Sequence, residues 1–384
     1  MLLEAHKEEL FLFYLCLWLC FSIRFARFKF LFNRPDLHKE NEVKNSVLCR
    51  LIASVSLLLG VPAFAQTLTW STPQSHVFFP DVGGTSGRNS VAAAAYQGGI
   101  WIAYTSTSSC TGSDCPIVIA NNGGAGASTA FNGGTRVNTS FFFQGYAISS
   151  DNPALLSATV NGVPTLFLAF HTSQGGEYLA TTTTVDGSSW NVYVIGVPTI
   201  SPVYSPSMAL SPDGSTIYIG YMDASSTKPI LCSVNAADRN SQSCQILSGL
   251  RGMNFNPGLA FFQNQLYMGF EDRGDSHCLY FDRGDPTTNS FSLWNPTNNC
   301  PEQTSSAPSL VNHNGLLYTA FRTNDSSQKF TVRVTTNGID FAFRQQPGWS
   351  IDGPPGLVDL NLVGGSGILA VYSRSNLLYT SIGQ

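Results

Sequence analysis

The chain has 384 residues, a formal net charge of −4 and only 11% charged residues. From Gln66 onward, two lysines and ten arginines face fifteen aspartates and three glutamates, a net charge of −6 with no basic run or patch. Nucleic acid and acidic membrane surfaces are gripped by clustered cations, so both are excluded as partners.

The first 65 residues differ in kind from the rest. An apolar stretch, Phe11 to Ile23, is followed by Arg24, Arg27 and Lys29; at 13 residues it is shorter than the roughly 20 that a spanning helix needs. Bacterial genes can start on a valine codon, which makes Val43 a candidate first residue and residues 1–42 a doubtful extension or a weak anchor. Residues 43–65 carry a basic start (Lys44, Arg50), an apolar centre (Leu51 to Val61) and small residues Ala63 and Ala65 before Gln66. Those are the three parts of a secretory signal, with cleavage expected after Ala65 and a secreted or periplasmic product.

The remaining 319 residues, 66–384, repeat. Six runs end on an aromatic: G-I-W-I-A-Y at Tyr104, T-L-F-L-A-F at Phe170, T-I-Y-I-G-Y at Tyr221, Q-L-Y-M-G-F at Phe270, L-L-Y-T-A-F at Phe321 and G-I-L-A-V-Y at Tyr372. The intervals are 66, 51, 49, 51 and 51 residues. A strand-rich, helix-poor period near 50 predicts an all-β, six-bladed β-propeller with one four-stranded antiparallel blade per repeat.

Within each unit a small residue and proline open the first strand, as in N-P-A-L at Asn152, S-P-S-M at Ser205, N-P-G-L at Asn256 and A-P-S-L at Ala307. A missing N–H is tolerated there. Turns such as V-N-G-V (Val160 to Val163) and S-P-D-G-S (Ser211 to Ser215) lead to the second strand. Small residues before the closing aromatics (Ala103, Ala169, Gly220, Gly269, Ala320) allow adjacent blades to approach, with the aromatics as core. Third strands follow at P-I-V-I-A, E-Y-L-A-T, P-I-L-C-S, C-L-Y-F-D, F-T-V-R-V and N-L-L-Y-T, and fourth strands start near Trp190, Trp294 and Phe341. The last unit has three strands, so T-L-T-W, Thr67 to Trp70, is expected to join the C-terminal blade and close the ring.

Six cysteines of this segment fall into three close pairs, Cys110 with Cys115, Cys232 with Cys244 and Cys278 with Cys300, which predicts three local disulfides. No zinc-ligand spacing, nucleophile elbow, P-loop or dinucleotide fingerprint occurs, so no metal or cofactor is expected.

Two motifs resemble the sialidase-like propeller superfamily across 66–384. In G-R-N-S-V-A-A-A-A-Y-Q-G-G-I-W-I-A-Y, Arg88 stands at the arginine of the F/Y-R-I-P segment that opens the first sialidase blade. T-T-V-D-G-S-S-W (Thr183 to Trp190) and T-T-N-G-I-D-F (Thr335 to Phe341) are similar to the Asp-box turn, S/T-x-D-x-G-x-T-W/F, although Val185 replaces its aspartate. The resemblance implies a site on the face opposite these turns. It also implies a tyrosine before the first strand of the final blade and a glutamate after the second, where this chain has Pro354–Pro355 and Ser373. Sialidase activity is therefore not expected.

In a propeller the loop into the first strand and the loop after the second open on one face, the mouth. Candidates there are Arg88, Asp151, His171, Tyr204, Asp223, Arg251, Glu271, Asp272, Arg322, Asp352 and Arg374. Arginine forks suit carboxylates or vicinal hydroxyls, and paired carboxylates suit a glycosidase. The leading expectation is a secreted, monomeric propeller that binds carbohydrate through these residues, with Glu271→Ala or Arg322→Ala abolishing retention at an unchanged melting temperature. The alternatives are a glycoside hydrolase using Glu271 with Asp151 or Asp223 as catalytic carboxyls, and a protein-binding scaffold.

Overall fold

The computed structural model describes residues 68–384 apart from 77–89, 109, 143, 197–201, 275, 289, 295–299, 301 and 342. The expected signal at 43–65, the extension at 1–42 and the candidate Arg88 lie outside the described residues. Six antiparallel sheets follow one another in chain order. Their innermost strands are Ala92–Tyr96, Ala154–Val160, Pro202–Leu210, Gly258–Phe262, Ser309–His313 and Gly356–Asp359, and they define blades 1 to 6. The second strands, Gly99–Thr105, Val163–His171, Thr216–Asp223, Gln265–Glu271, Leu316–Arg322 and Ile368–Arg374, carry the six closing aromatics.

Each aromatic fills the gap to the preceding blade while the small residue before it faces the next. Phe170 and Ala103 share the core between blades 1 and 2, Tyr221 and Ala169 that between blades 2 and 3, and Tyr372 and Ala320 that between blades 5 and 6. At Gly220 an added Cβ would already touch Pro257 and Leu259 of blade 4 at 3.0 Å. Period and side-chain size thus set the spacing of the ring.

The hairpins carry the conformation that two-residue turns demand. Asn161 (φ 51) with Gly162 (φ 80), and Asn314 (φ 52) with Gly315 (φ 72), are left-handed at both central positions, matching the strand twist. Gly187 and Gly338, each three residues before an aromatic, meet the neighbouring blade: a Cβ on Gly187 would lie 2.7 Å from Trp101, and one on Gly338 1.9 Å from the Tyr267 hydroxyl. The two degenerate Asp-box turns are therefore inter-blade clamps. Gln97 and Gln263 extend the pattern, donating through Nε2 across the blade boundary to the carbonyls of Thr183 and Thr336 at 3.2 Å.

The ring closes as expected through the N-terminal segment. Gln74–His76 is the outer strand of blade 6, paired with Leu377–Gly383, and Trp70 bridges Gly383 ahead of it. Trp70 stands edge-on to Phe330 with centroids 5.0 Å apart. All three disulfides form in the predicted pairing. One expectation needs correction: the outer strand of blade 4 is Ser290–Trp294, so Trp294 ends it. The tight turn after Asp285, which pairs with Ser290, starts that strand earlier. Among the described residues no helix is long and apolar enough to cross a membrane.

Candidate functional site

The innermost strands line a central channel of about 140 Å³. Its wall carries Pro153, Pro206, Pro257 and Pro308, one from each of blades 2 to 5, and Pro354 and Pro355 from blade 6, where blade 1 presents Ser90. The inner edge of each sheet has no further strand to pair with, so proline is accommodated there.

Around this channel the mouth is built by one repeated backbone contact. The loop entering a blade donates an N–H to the carbonyl of the residue that follows the closing aromatic: Ser150 to His171 at 2.9 Å, Asn254 to Glu271 at 3.1 Å, Ser305 to Arg322 at 3.0 Å and Asp352 to Ser373 at 3.0 Å. Equivalent positions of the repeat thus hold the side chains of His171, Glu271 and Arg322 at the same level of the ring.

The candidates divide into two sectors. In blade 2, His171 is buried and donates through Nδ1 to Glu177 Oε1, a carboxylate that is 2% exposed. Burial disfavours the charged imidazole, yet Glu177 and the carboxylates of Asp151 and Asp114 raise its pKa above the ordinary histidine value. Burial pushes Glu177 up in turn, against the contact with His171. Desolvation first, then the neighbouring Glu177, drives the fully enclosed Tyr221 phenol well above its usual range. Asp151 and Asp114 are themselves buried, and Asp114 accepts from Ser173 N at 2.7 Å and Ser173 Oγ at 2.9 Å.

The second sector spans blades 4 to 6. Glu271 is 1% exposed, and its Oε1 accepts from His277 Nδ1 at 2.6 Å and from Asn254 Nδ2 at 2.7 Å. Burial pushes its carboxyl up, against those two contacts and the charge of Arg322. Arg251 lies with its guanidinium carbon 4.6 Å above the Tyr280 ring and Nη1 3.8 Å from Asp272 Oδ2. Arg322 spends its fork inside the protein: Nε on Ser305 Oγ at 2.9 Å, Nη2 on the Ser305 carbonyl at 2.9 Å and Nη1 on the Asp352 carbonyl. Asp352 Oδ2 accepts from Asn376 N at 3.3 Å, and Arg374 ends the second strand of blade 6, half-buried.

Asp223 stands apart from both. It accepts from Ser225 Oγ and Ser226 Oγ at 2.6 Å and from Ser226 N at 2.8 Å, which makes it the organiser of its own turn. Tyr204 falls within the innermost strand of blade 3. Among the described residues no cluster of three His, Cys, Asp or Glu could hold a metal ion.

Sequence reasoning did not reach Glu177, His277 and Asn254. A signal was present: a histidine and a glutamate six residues apart straddle the turn after the second strand in blades 2 and 4, with their order exchanged. The exchange hides the correspondence from residue-by-residue alignment.

No family model matches the sequence, and neither does any curated protein. Solved structures do. A protein of unknown function from Dyadobacter fermentans is similar at a TM-score of 0.56 and 11% identity, over 84% of this chain and 100% of that one. The Aleuria aurantia lectin in complex with α-methyl-L-fucoside reaches 0.52 at 11% identity, over 78% of this chain and 93% of the lectin. A neuraminidase-like protein from A/bat/Guatemala/164/2009 reaches 0.52 at 9% identity, over 83% and 95%. Identities this low speak for the fold alone. Six repeated blades, a ring sealed by its first strand and these likenesses make the chain a six-bladed β-propeller.

Proposed function

We infer that the protein is a secreted glycan-binding propeller that takes its ligand on the mouth face and lacks sialidase chemistry. The observation that carries this reading is the Arg251–Asp272 pair. Arg251 is 44% exposed and propped on Tyr280, with a carboxylate beside it, so a donor fork and an acceptor stand side by side at the surface. Vicinal hydroxyls, which donate and accept at adjacent carbons, fit such a pair. The lectin and neuraminidase-like neighbours support the same reading at the level of fold. Secretion is supported by the signal-like segment at 43–65 and by three disulfides, which persist in oxidising compartments.

The loss of sialidase chemistry rests on Pro354, Pro355 and the buried Ser373 standing where that chemistry places its tyrosine and glutamate. A second reading, glycoside hydrolysis, draws on the raised carboxyl of Glu271, the property a general acid needs. A panel of fluorogenic glycosides that includes a sialoside separates the two. We expect no turnover across the panel and retention on a glycan array that falls on Arg251→Ala; turnover abolished by Glu271→Gln would establish the hydrolase.

A further inference from the structure

The turn after the second strand of blade 4 holds a pair that a two-carboxylate mechanism does not use. Glu271 is enclosed, and Asn254 fixes its carboxylate while donating also to the Asp272 carbonyl at 3.0 Å. The partner of that carboxylate, His277, keeps 42% of its side chain exposed. With the Nδ1 proton directed at a carboxylate, the neutral ring carries its lone pair on Nε2, on the side turned away from Glu271.

The backbone fixes the imidazole in this attitude. His277 has φ 51, in the left-handed region that histidine enters more readily than most side chains. Two anchors enforce it: the Cys278–Cys300 disulfide begins at the next residue, and Thr304 N donates to the His277 carbonyl at 2.9 Å. The related pair in blade 2 buries its histidine, whereas blade 4 turns it outward.

We propose that His277 Nε2 contacts the ligand by accepting a hydrogen bond from a saccharide hydroxyl, and that Glu271 and Asn254 are its positioning residues. The proposal rests on the glycan-binding reading above and deepens it. Asp272 on this turn and its Arg251 partner on the loop entering the blade add a carboxylate and a donor fork to the Nε2 acceptor, the mixture a polyol needs. Glu271 then acts at one remove from the ligand.

The test is retention of the full-length protein on a printed array of defined neutral and acidic glycans. Wild type is compared with His277→Gln, His277→Phe, Glu271→Gln and Glu271→Ala, with melting midpoints and imidazole ¹⁵N spectra for each folded variant. His277→Phe is expected to lose about tenfold or more, the loss of one buried hydrogen bond, while His277→Gln, which keeps an acceptor, recovers much of it. Glu271→Gln, still able to accept from Nδ1, is expected to stay within about threefold of wild type, and Glu271→Ala to fall with His277→Phe. The His277 ¹⁵N signals are expected to report the Nδ1–H tautomer, with Nε2 shifting when the retained glycan is added. Retention by wild type and His277→Phe alike would overturn the assignment and leave the glycan reading standing. Loss confined to the Glu271 variants would move the contact to Glu271, and an array silent for wild type would overturn both.

Discussion

Asp282 lies in the third strand of blade 4 directly across from Met268, and neither of its carboxyl oxygens has a hydrogen-bond partner among the described residues. Burial pushes its pKa up to about 7, only partly opposed by the charge of Arg251. The folded state thus holds a proton that the unfolded state releases near pH 4. Stability from this group is complete below the unfolded value and is lost as pH rises through about 7. Asp282→Asn is expected to flatten that slope, so its melting midpoint relative to wild type rises between pH 5 and pH 8. Over that range the shift corresponds to at most about 3 kcal/mol, at 1.4 kcal/mol per unit. A midpoint difference that does not change with pH would contradict the assignment.

Gly187 tests whether the degenerate Asp-box turns are clamps. Its φ of 62 alone makes alanine unfavourable by about 1–2 kcal/mol, and the approach of Trp101 adds a steric term of about 1–3 kcal/mol. Gly162, at φ 80 but facing open space, carries only the first. Chemical denaturation of Gly187→Ala and Gly162→Ala should therefore separate by at least about 1 kcal/mol; equal losses would reduce the clamp to an ordinary turn.

Arg322 is expected to matter for stability. All three of its guanidinium nitrogens are used between Ser305 and the Asp352 carbonyl, which ties blade 5 to the entry of blade 6. The sequence led us to expect an unchanged melting temperature for Arg322→Ala; the geometry gives a drop worth about 1–3 kcal/mol, because acceptors lose a charged donor. Calorimetry of the variant decides between the two.

The closing strand offers a further measurement. Trp70 bridges Gly383 and packs against Phe330, so Trp70→Ala is expected to destabilise the protein by about 2–4 kcal/mol. Removal of residues 66–73 should lower the midpoint further, and cooperatively. An unchanged transition in either would mean that the ring stands without its clasp.

The blades were readable because the repeat satisfies several physical requirements at one period. Aromatic positions such as Tyr221 and Phe321 demand a small neighbour, and the inner edge tolerates proline, so packing leaves a mark at every fifty-residue step. The site left a fainter one. Candidates picked as charged residues near the mouth sort by their partners: Asp223 organises a turn, Arg322 braces two blades, and Glu271 serves His277. Those roles depend on which way a side chain turns and on loop residues such as Asn254, and neither follows from a period. Trp294 shows the same limit within the fold, since a short turn moved a strand boundary that aromatic spacing alone could not place.

The sealing of blade 6 also sets an order of events. Its outer strand is among the earliest stretches of the domain to be synthesised and its three partners the last, with Ser71 and Ile382 joined across 311 residues. Closing so long a segment carries a large entropic term and makes contact formation slow. The N-terminal strand must stay unpaired until blades 1 to 5 have stacked and the final hairpin is present. A chain still emerging from the ribosome can hold most of this ring yet lacks the step that makes it cooperative.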